Sequence, residues 1–180
     1  MTTTDSHCFS DEHFMQLALD EARHALAAGE FPVGCVFVHK GQVIERGRRQ
    51  NSEGKQSNEV DHAEVVTLRK LLAARPGMDC RDIVVYCTME PCLMCYSTML
   101  LSGIRRFVWG YEDIMGGGTS LCLTDLPALY RDMTVKLVPA VLRNECLELF
   151  IRFFQTFSYW QGSLLADYTL EQIERNTDVS

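Results

Sequence analysis

Two short segments constrain this chain more than anything else in it: His62-Ala63-Glu64 and Pro91-Cys92-Leu93-Met94-Cys95. One imidazole and two thiolates form a donor set that favours Zn²⁺. The fold must then bring two separated stretches of chain to one point. His62 opens a segment in which Val65, Leu68, Leu71 and Leu72 recur at helical spacing, so it stands at a helix start. Pro91 suits a first helical turn, so Cys92 and Cys95 fall in the first turn of a second helix, three apart and on one face. Helix N-termini carry partial positive charge, which stabilises thiolates. Two adjacent helix starts can thus present three ligands to one ion.

Three protein ligands leave a tetrahedral zinc with one open position, the pattern of a catalytic site whose fourth ligand is water. Zinc lowers the pKa of that water to about 7. Glu64 lies too near His62 to wrap round as a fourth ligand, but is well placed to exchange protons with the water. Three other readings exist: a structural zinc site completed by Cys87, a Cys92–Cys95 disulfide, and a non-enzymatic zinc-stabilised module. Cys87 sits in a continuous apolar strand, and the first reading leaves Glu64 without a purpose. A helical C-x-x-C outside a thioredoxin pattern is poor support for the second.

The remaining pattern is an ordered alternation. Residues 11–28 read as an amphipathic helix with Ser10 as N-cap and Gly29 as stop. PVGCVFV (32–38) and QVIERGRR (42–49) form a hairpin through Lys40-Gly41. A polar loop over 49–61 leads to the helix from His62 to Ala74. DIVVYCT (82–88) has the character of a central strand; a helix over 92–102, a strand over 105–110, a possible strand over 134–140 and a helix over 143–160 follow. Strands alternating with helices predict an α/β protein with a three-layer α/β/α arrangement. We expect one domain over 1–160 and an acidic, weakly apolar tail over 161–180.

Composition narrows the class. Of 180 residues, 47% are hydrophobic and 23% charged, which excludes a disordered chain. With 17 basic against 24 acidic residues the net charge is −7, so general nucleic-acid binding is not the obvious role. The apolar runs fall well short of the ~18 residues of a membrane span, and the N-terminus lacks the basic-then-apolar order of a secretory signal. A cytoplasmic protein that does not engage membranes is expected. Eight cysteines in such a chain suggest buried thiols and metal ligands rather than disulfides.

The same residues carry a resemblance. His-Ala-Glu followed by Pro-Cys-x-x-Cys is similar to the signature of the zinc-dependent cytidine/deoxycytidylate deaminase superfamily. FPVGCVFV (31–38), HAEVVTLRK (62–70), TMEPCLMCYSTM (88–99) and IRRFVWG (104–110) resemble bacterial tRNA adenosine deaminases and related nucleoside and nucleobase deaminases. The likeness spans roughly residues 10–155. It implies a mixed five-stranded sheet between helices, with zinc held by His62, Cys92 and Cys95. It also implies Glu64 as general acid/base, supporting roles for Glu90 and Pro91, and a homodimer.

The substrate is less legible. Relatives that act on tRNA usually have Gly-x-Asn after the second strand, the Asn contacting substrate. Here the run is Gly47-Arg48-Arg49-Gln50-Asn51, so the Asn is displaced. Asn51, Asn58 and Asp61 are pocket candidates, and Tyr96 could stack on a base; alternatively, the first three cap a helix and satisfy loop amides, and Tyr96 packs on the sheet. Arg46, Arg48, Arg49 and Lys55 are the local cations that could grip a phosphate. The loop after the fourth strand, Tyr111-Glu112-Asp113-Ile114-Met115-Gly116, is acidic where a basic loop was expected. On these grounds a small nucleobase, nucleoside or nucleotide is the expected substrate, with tRNA as the alternative. For the dimer, the sequence offers Leu93, Met94, Met99, Leu100 and Leu101 around one helix. Phe150, Phe153, Phe154, Phe157, Tyr159 and Trp160 lie on another. A twofold interface would bury both sets; alternatively, the tail folds back over the aromatic one.

Overall fold

The computed structural model describes residues 9–52 and 55–177. Cys8 and the N-terminal stretch 1–8 lie outside them. Helix α1 (Asp11–Ala27) starts on Ser10, whose hydroxyl accepts from the His13 N–H at 3.4 Å, with Asp11 and Glu12 in the first turn. Strands β1 (Gly34–His39) and β2 (Gln42–Arg48) follow, then α2 (Ala63–Ala74), β3 (Ile83–Met89), α3 (Leu93–Leu101) and β4 (Arg106–Tyr111). A one-turn α4 (Ala128–Arg131) precedes β5 (Lys136–Val138), α5 (Arg143–Thr156) and α6 (Leu164–Thr177).

The five strands make one mixed sheet in the order β2-β1-β3-β4-β5. β1 pairs antiparallel with β2 and with β3, whereas β3, β4 and β5 run parallel. Helices α1 and α5 cover one face and α2 and α3 the other, so the expected three layers are present. The parallel pair β3–β4 is buried on both faces, which is why its strands read as unbroken apolar runs.

Two expectations need correcting. Leu72, placed in the buried stripe of α2, is 42% exposed. Residues 161–180, read as a tail, contain α6, which packs on α5 and buries Leu165, Ala166 and Thr169. Leu165, Ala166, Thr169 and Leu170 recur at i, i+1, i+4, i+5, a helical stripe diluted by the acidic residues between them. The Tyr111 and Thr169 hydroxyls share a hydrogen bond at 3.0 Å, which fastens α6 to the end of β4.

The sheet positions the site through one close approach. A Cβ on Gly47 of β2 would lie 2.2 Å from Thr67 Oγ1 and 3.2 Å from the Ala63 carbonyl oxygen. Only a residue without a side chain lets the first turns of α2 lie this low on the sheet. Because strand side chains alternate, Arg46 and Arg48 point outward, whereas Gly47 and the following Arg49 are buried on the α2 side.

Candidate active site

Both helix starts are where the pattern put them. His62 is the N-cap of α2 and Cys92 the N-cap of α3, with Cys95 one turn into α3. His62 Nδ1 lies 3.5 Å from the sulfurs of both Cys92 and Cys95, and one donor atom from each residue falls within 4.8 Å of the others. A tetrahedral zinc with Zn–S of about 2.3 Å and Zn–N of about 2.0–2.1 Å holds its nitrogen and sulfur donors about 3.6 Å apart. Both nitrogen–sulfur separations match that ion. Cys87 does not join it: its sulfur faces that of Cys35 at 3.4 Å across the β1–β3 pair.

The electrostatics point the same way. Hydrogen bonds from Cys95 and His62 bring the Cys92 thiol down to about 4 against the cost of burial. Cys95, donating to that thiolate and itself buried, is held well above its usual range. A divalent cation resolves this competition by accepting both sulfurs as thiolates. Glu64 is fully buried beside them, and burial pushes its carboxyl up to about 7. A carboxyl poised there can hold and release a proton at neutral pH.

The three metal donors come with a cleft. Phe31, Val33 and Met89 form its apolar wall; His62, Glu64 and Cys92 lie on it, and Arg49, Glu59, Glu90 and Asp113 supply further polar groups. Counted out to its open mouth, with the solvent there included, it holds about 460 Å³. Tyr159 and Trp160, from the α5–α6 connection, stack at 5.2 Å and complete one side, with Phe31 5.9 Å from Trp160.

Glu90 anchors the loop beyond β4. Its carboxylate accepts from the Asp113 and Thr119 N–H groups at 3.3 Å each and from the Thr119 hydroxyl. A Cβ on Gly117 would sit 2.7 Å from that carboxylate, so glycine lets the loop close over it. Residue Gly117 also bridges to Cys92, placing this loop against the start of α3.

The expected substrate contacts fare differently. Asn51, Asn58 and Asp61 bind one another: both amide groups donate to Asp61 Oδ2, at 2.7 and 2.9 Å. Asn58 Oδ1 accepts from the Val60 and Asp61 N–H groups. They brace the β2–α2 loop and do not line the cleft. Tyr96 is 1% exposed and packs edge-on against Phe107, so it belongs to the core. Arg49, not Asn51, reaches the cleft, and it stands two residues after Gly47, the Gly-x-Asn position. That spacing was the available signal. The Tyr159–Trp160 wall gave none, because contact between residues so distant in sequence leaves no local pattern.

A five-stranded mixed sheet with a His/Cys/Cys cluster at two helix starts defines a zinc-dependent hydrolytic deaminase. The family model "Cytidine and deoxycytidylate deaminase zinc-binding region" matches residues 9–111, and the chain belongs to that family. The tRNA-specific adenosine deaminase of Streptococcus pyogenes serotype M18 is 32% identical over 146 residues, covering 79% of this chain and 89% of that protein. The tRNA-specific adenosine deaminase of Bacillus subtilis strain 168 is 30% identical over 145 residues, covering 81% and 89%. A structure from work on A-to-I editing by tRNA:A34 deaminases superposes with a TM-score of 0.67 at 29% identity, covering 76% of this chain and 98% of its own. No helix among the described residues is long and apolar enough to cross a membrane.

Proposed function

We propose that this chain converts adenosine to inosine in tRNA, with the base seated in the cleft walled by Phe31, Val33 and Met89. The observation that carries the deamination is the buried Glu64 carboxyl beside the His62–Cys92–Cys95 cluster, at the floor of an aromatic-walled cleft. The substrate assignment is supported by relatives at 30–32% identity that bear the tRNA-specific name. In this reading His62, Cys92 and Cys95 hold zinc. When bound, zinc supplies a Lewis acid that makes water nucleophilic near neutral pH.

Glu64 takes a proton from the attacking water and delivers it to the ring nitrogen beside the reacting carbon. A second proton passes through the same carboxyl to the amine as the C–N bond breaks. Water is consumed, the exocyclic amine leaves as ammonia, and a carbonyl oxygen replaces it. The aromatic wall orients the ring and keeps bulk water from its face. A tRNA substrate also agrees with the cytoplasmic location and homodimer expected from the sequence.

A second reading, a free nucleobase, nucleoside or nucleotide, is favoured by the cleft's charge. Glu59, Glu64, Glu90 and Asp113 line it against Arg49 and His62, and Arg48, on the outer face, is paired with Glu21. An RNA backbone draws its binding from unpaired cations. Ammonia release across free bases, nucleosides, nucleotides and an anticodon stem-loop decides between them. Turnover confined to the stem-loop supports the first reading; turnover on free compounds with an inert stem-loop overturns it.

A further inference from the structure

The two nitrogens of His62 face different partners. Nδ1 lies 3.5 Å from both cysteine sulfurs, and Nε2 lies 3.8 Å from Glu59 Oε2. A neutral imidazole that gives Nδ1 to a metal carries its proton on Nε2. That N–H then has a carboxylate for a neighbour. The separation is longer than a hydrogen bond and short enough for the charge to act on the ring. Asp61, the carboxylate adjacent in sequence, is already engaged: its Oδ2 accepts from the Asn51 and Asn58 amides at 2.7 and 2.9 Å.

Glu59 is exposed, yet both of its oxygens are held. Oε2 accepts from Arg49 Nη2 at 3.0 Å, and Oε1 accepts from the Tyr159 hydroxyl at 2.8 Å. Arg49 is itself buried and fastened, donating to Ser52 Oγ at 3.1 Å and to the Asn58 carbonyl oxygen at 2.8 Å. A free surface glutamate must give up rotamer freedom to meet a partner. Glu59 has given it up before any metal arrives. A fixed carboxylate on the outer side of a metal-bound imidazole sets the ring's orientation and raises its basicity toward the metal. One of its two holders, Tyr159, stands in the α5–α6 connection, beyond the residues 9–111 that match the family's zinc-binding region.

We propose that Glu59 is a positioning residue for the zinc ligand His62, and that Tyr159, by holding Glu59, makes zinc retention depend on the α5–α6 connection. The inference rests on the zinc site and not on the identity of the substrate.

The test is zinc affinity, read on the full chain by competition with a chromophoric chelator. Glu59→Gln keeps an acceptor oxygen and nearly the same shape but removes the charge. Its zinc dissociation constant should rise about 10–100-fold, the cost of losing an outer partner of a metal ligand. Tyr159→Phe should raise the constant by less, and should add nothing in the Glu59→Gln background. Unchanged affinity in Glu59→Gln overturns the assignment to His62. Additive losses in the double variant overturn the route through Glu59.

Melting temperatures with and without zinc tell positioning from bracing of the loop. Bracing lowers both forms together and leaves the increment that zinc adds untouched, which overturns the proposal. Positioning shrinks that increment. If Glu59→Gln fails to fold, wild type and Tyr159→Phe still decide by nuclear magnetic resonance on isotope-labelled histidine. The zinc-loaded wild type should show a proton on His62 Nε2, and Tyr159→Phe should shift its resonance. A proton on Nδ1, or the same Nε2–H resonance in both proteins, overturns the proposal. None of these readouts is turnover, so their failure leaves the deamination reading intact, whereas absence of ammonia release with zinc affinity behaving as stated sinks that reading alone.

Discussion

The Tyr159 hydroxyl donates to Glu59 Oε1 at 2.8 Å, joining the α5–α6 connection to the loop that delivers His62. Glu59 also accepts from Arg49 at 3.0 Å and lies 3.8 Å from His62 Nε2. One exposed carboxylate therefore ties the aromatic wall, the buried guanidinium and the imidazole together. Tyr159→Phe should keep kcat and raise KM about 3–10-fold, the worth of one such hydrogen bond. Trp160→Ala, which removes part of the wall itself, should raise KM further. Steady-state kinetics on the preferred substrate check both, and a fall in kcat alone would show that the wall does not act through binding.

Metal content and turnover should separate cleanly between the two kinds of polar residue. Cys92→Ala and Cys95→Ala should lose zinc and much of the thermal stability, since ligation holds the starts of α2 and α3 together. Glu64→Ala should keep about one zinc per chain while turnover falls about 10²–10⁴-fold. Elemental analysis beside the ammonia assay tests this. Full occupancy in both cysteine variants would remove them from the ligand set.

The metal set was legible because each ligand lies at a helix boundary that sequence marks locally: Pro91 before Cys92, and a polar loop before His62. The sheet was legible because β3 and β4 are continuous apolar runs. What the sequence hid depends on long-range contact. Tyr159 and Trp160 reach the cleft only because α6 folds back on α5, and the apolar face of α6 is short and interrupted by acids. Asn51 lies in the loop beyond the end of β2 and turns to Asp61, whereas Arg49, two residues after Gly47, lines the cleft.

Gly47→Ala should destabilise the protein by about 1–3 kcal/mol, because its Cβ would overlap Thr67 Oγ1 at 2.2 Å. Thr67 offers a second handle, since its hydroxyl donates to the Ala63 carbonyl at 2.6 Å. Thr67→Ala removes the clashing oxygen, so the double variant should be less destabilised than the two single effects added together. Denaturant titration of the four proteins reads this directly, and simple additivity would place the strain elsewhere.

The Glu112 site predicts an acid limb to stability. Burial raises its carboxyl, but hydrogen bonds from Arg143 and Tyr168 outweigh that and hold it below the usual range. A depressed folded pKa gives stability that is fully present above the unfolded value of about 4.3 and is lost as pH falls through the folded one. Arg143→Met should flatten this limb while leaving the neutral-pH profile shape unchanged. Melting temperatures between pH 3 and 6 measure it; an unchanged acid limb would mean that other carboxylates dominate.

The late aromatic cluster does not need a partner subunit. Phe150, Phe153 and Phe154 are buried within the chain, against Phe31 and beneath the α5–α6 connection. Of the α3 set, Met99 and Leu100 are buried within the chain as well, at 1% exposure each, which leaves Leu93, Met94 and Leu101. Leu93 is 53% exposed and Leu101 59% exposed on α3, with Ile114 and Met115 of the adjoining loop exposed as well. Leu93 and Leu101 stand at the two ends of α3, and a twofold contact along this helix would cover both. Light scattering at micromolar concentration should give twice the 20.5 kDa chain mass. Leu93→Glu combined with Leu101→Lys should return it to the single-chain value with zinc retained. A wild type that stays active at the single-chain mass would leave this face without a role in assembly.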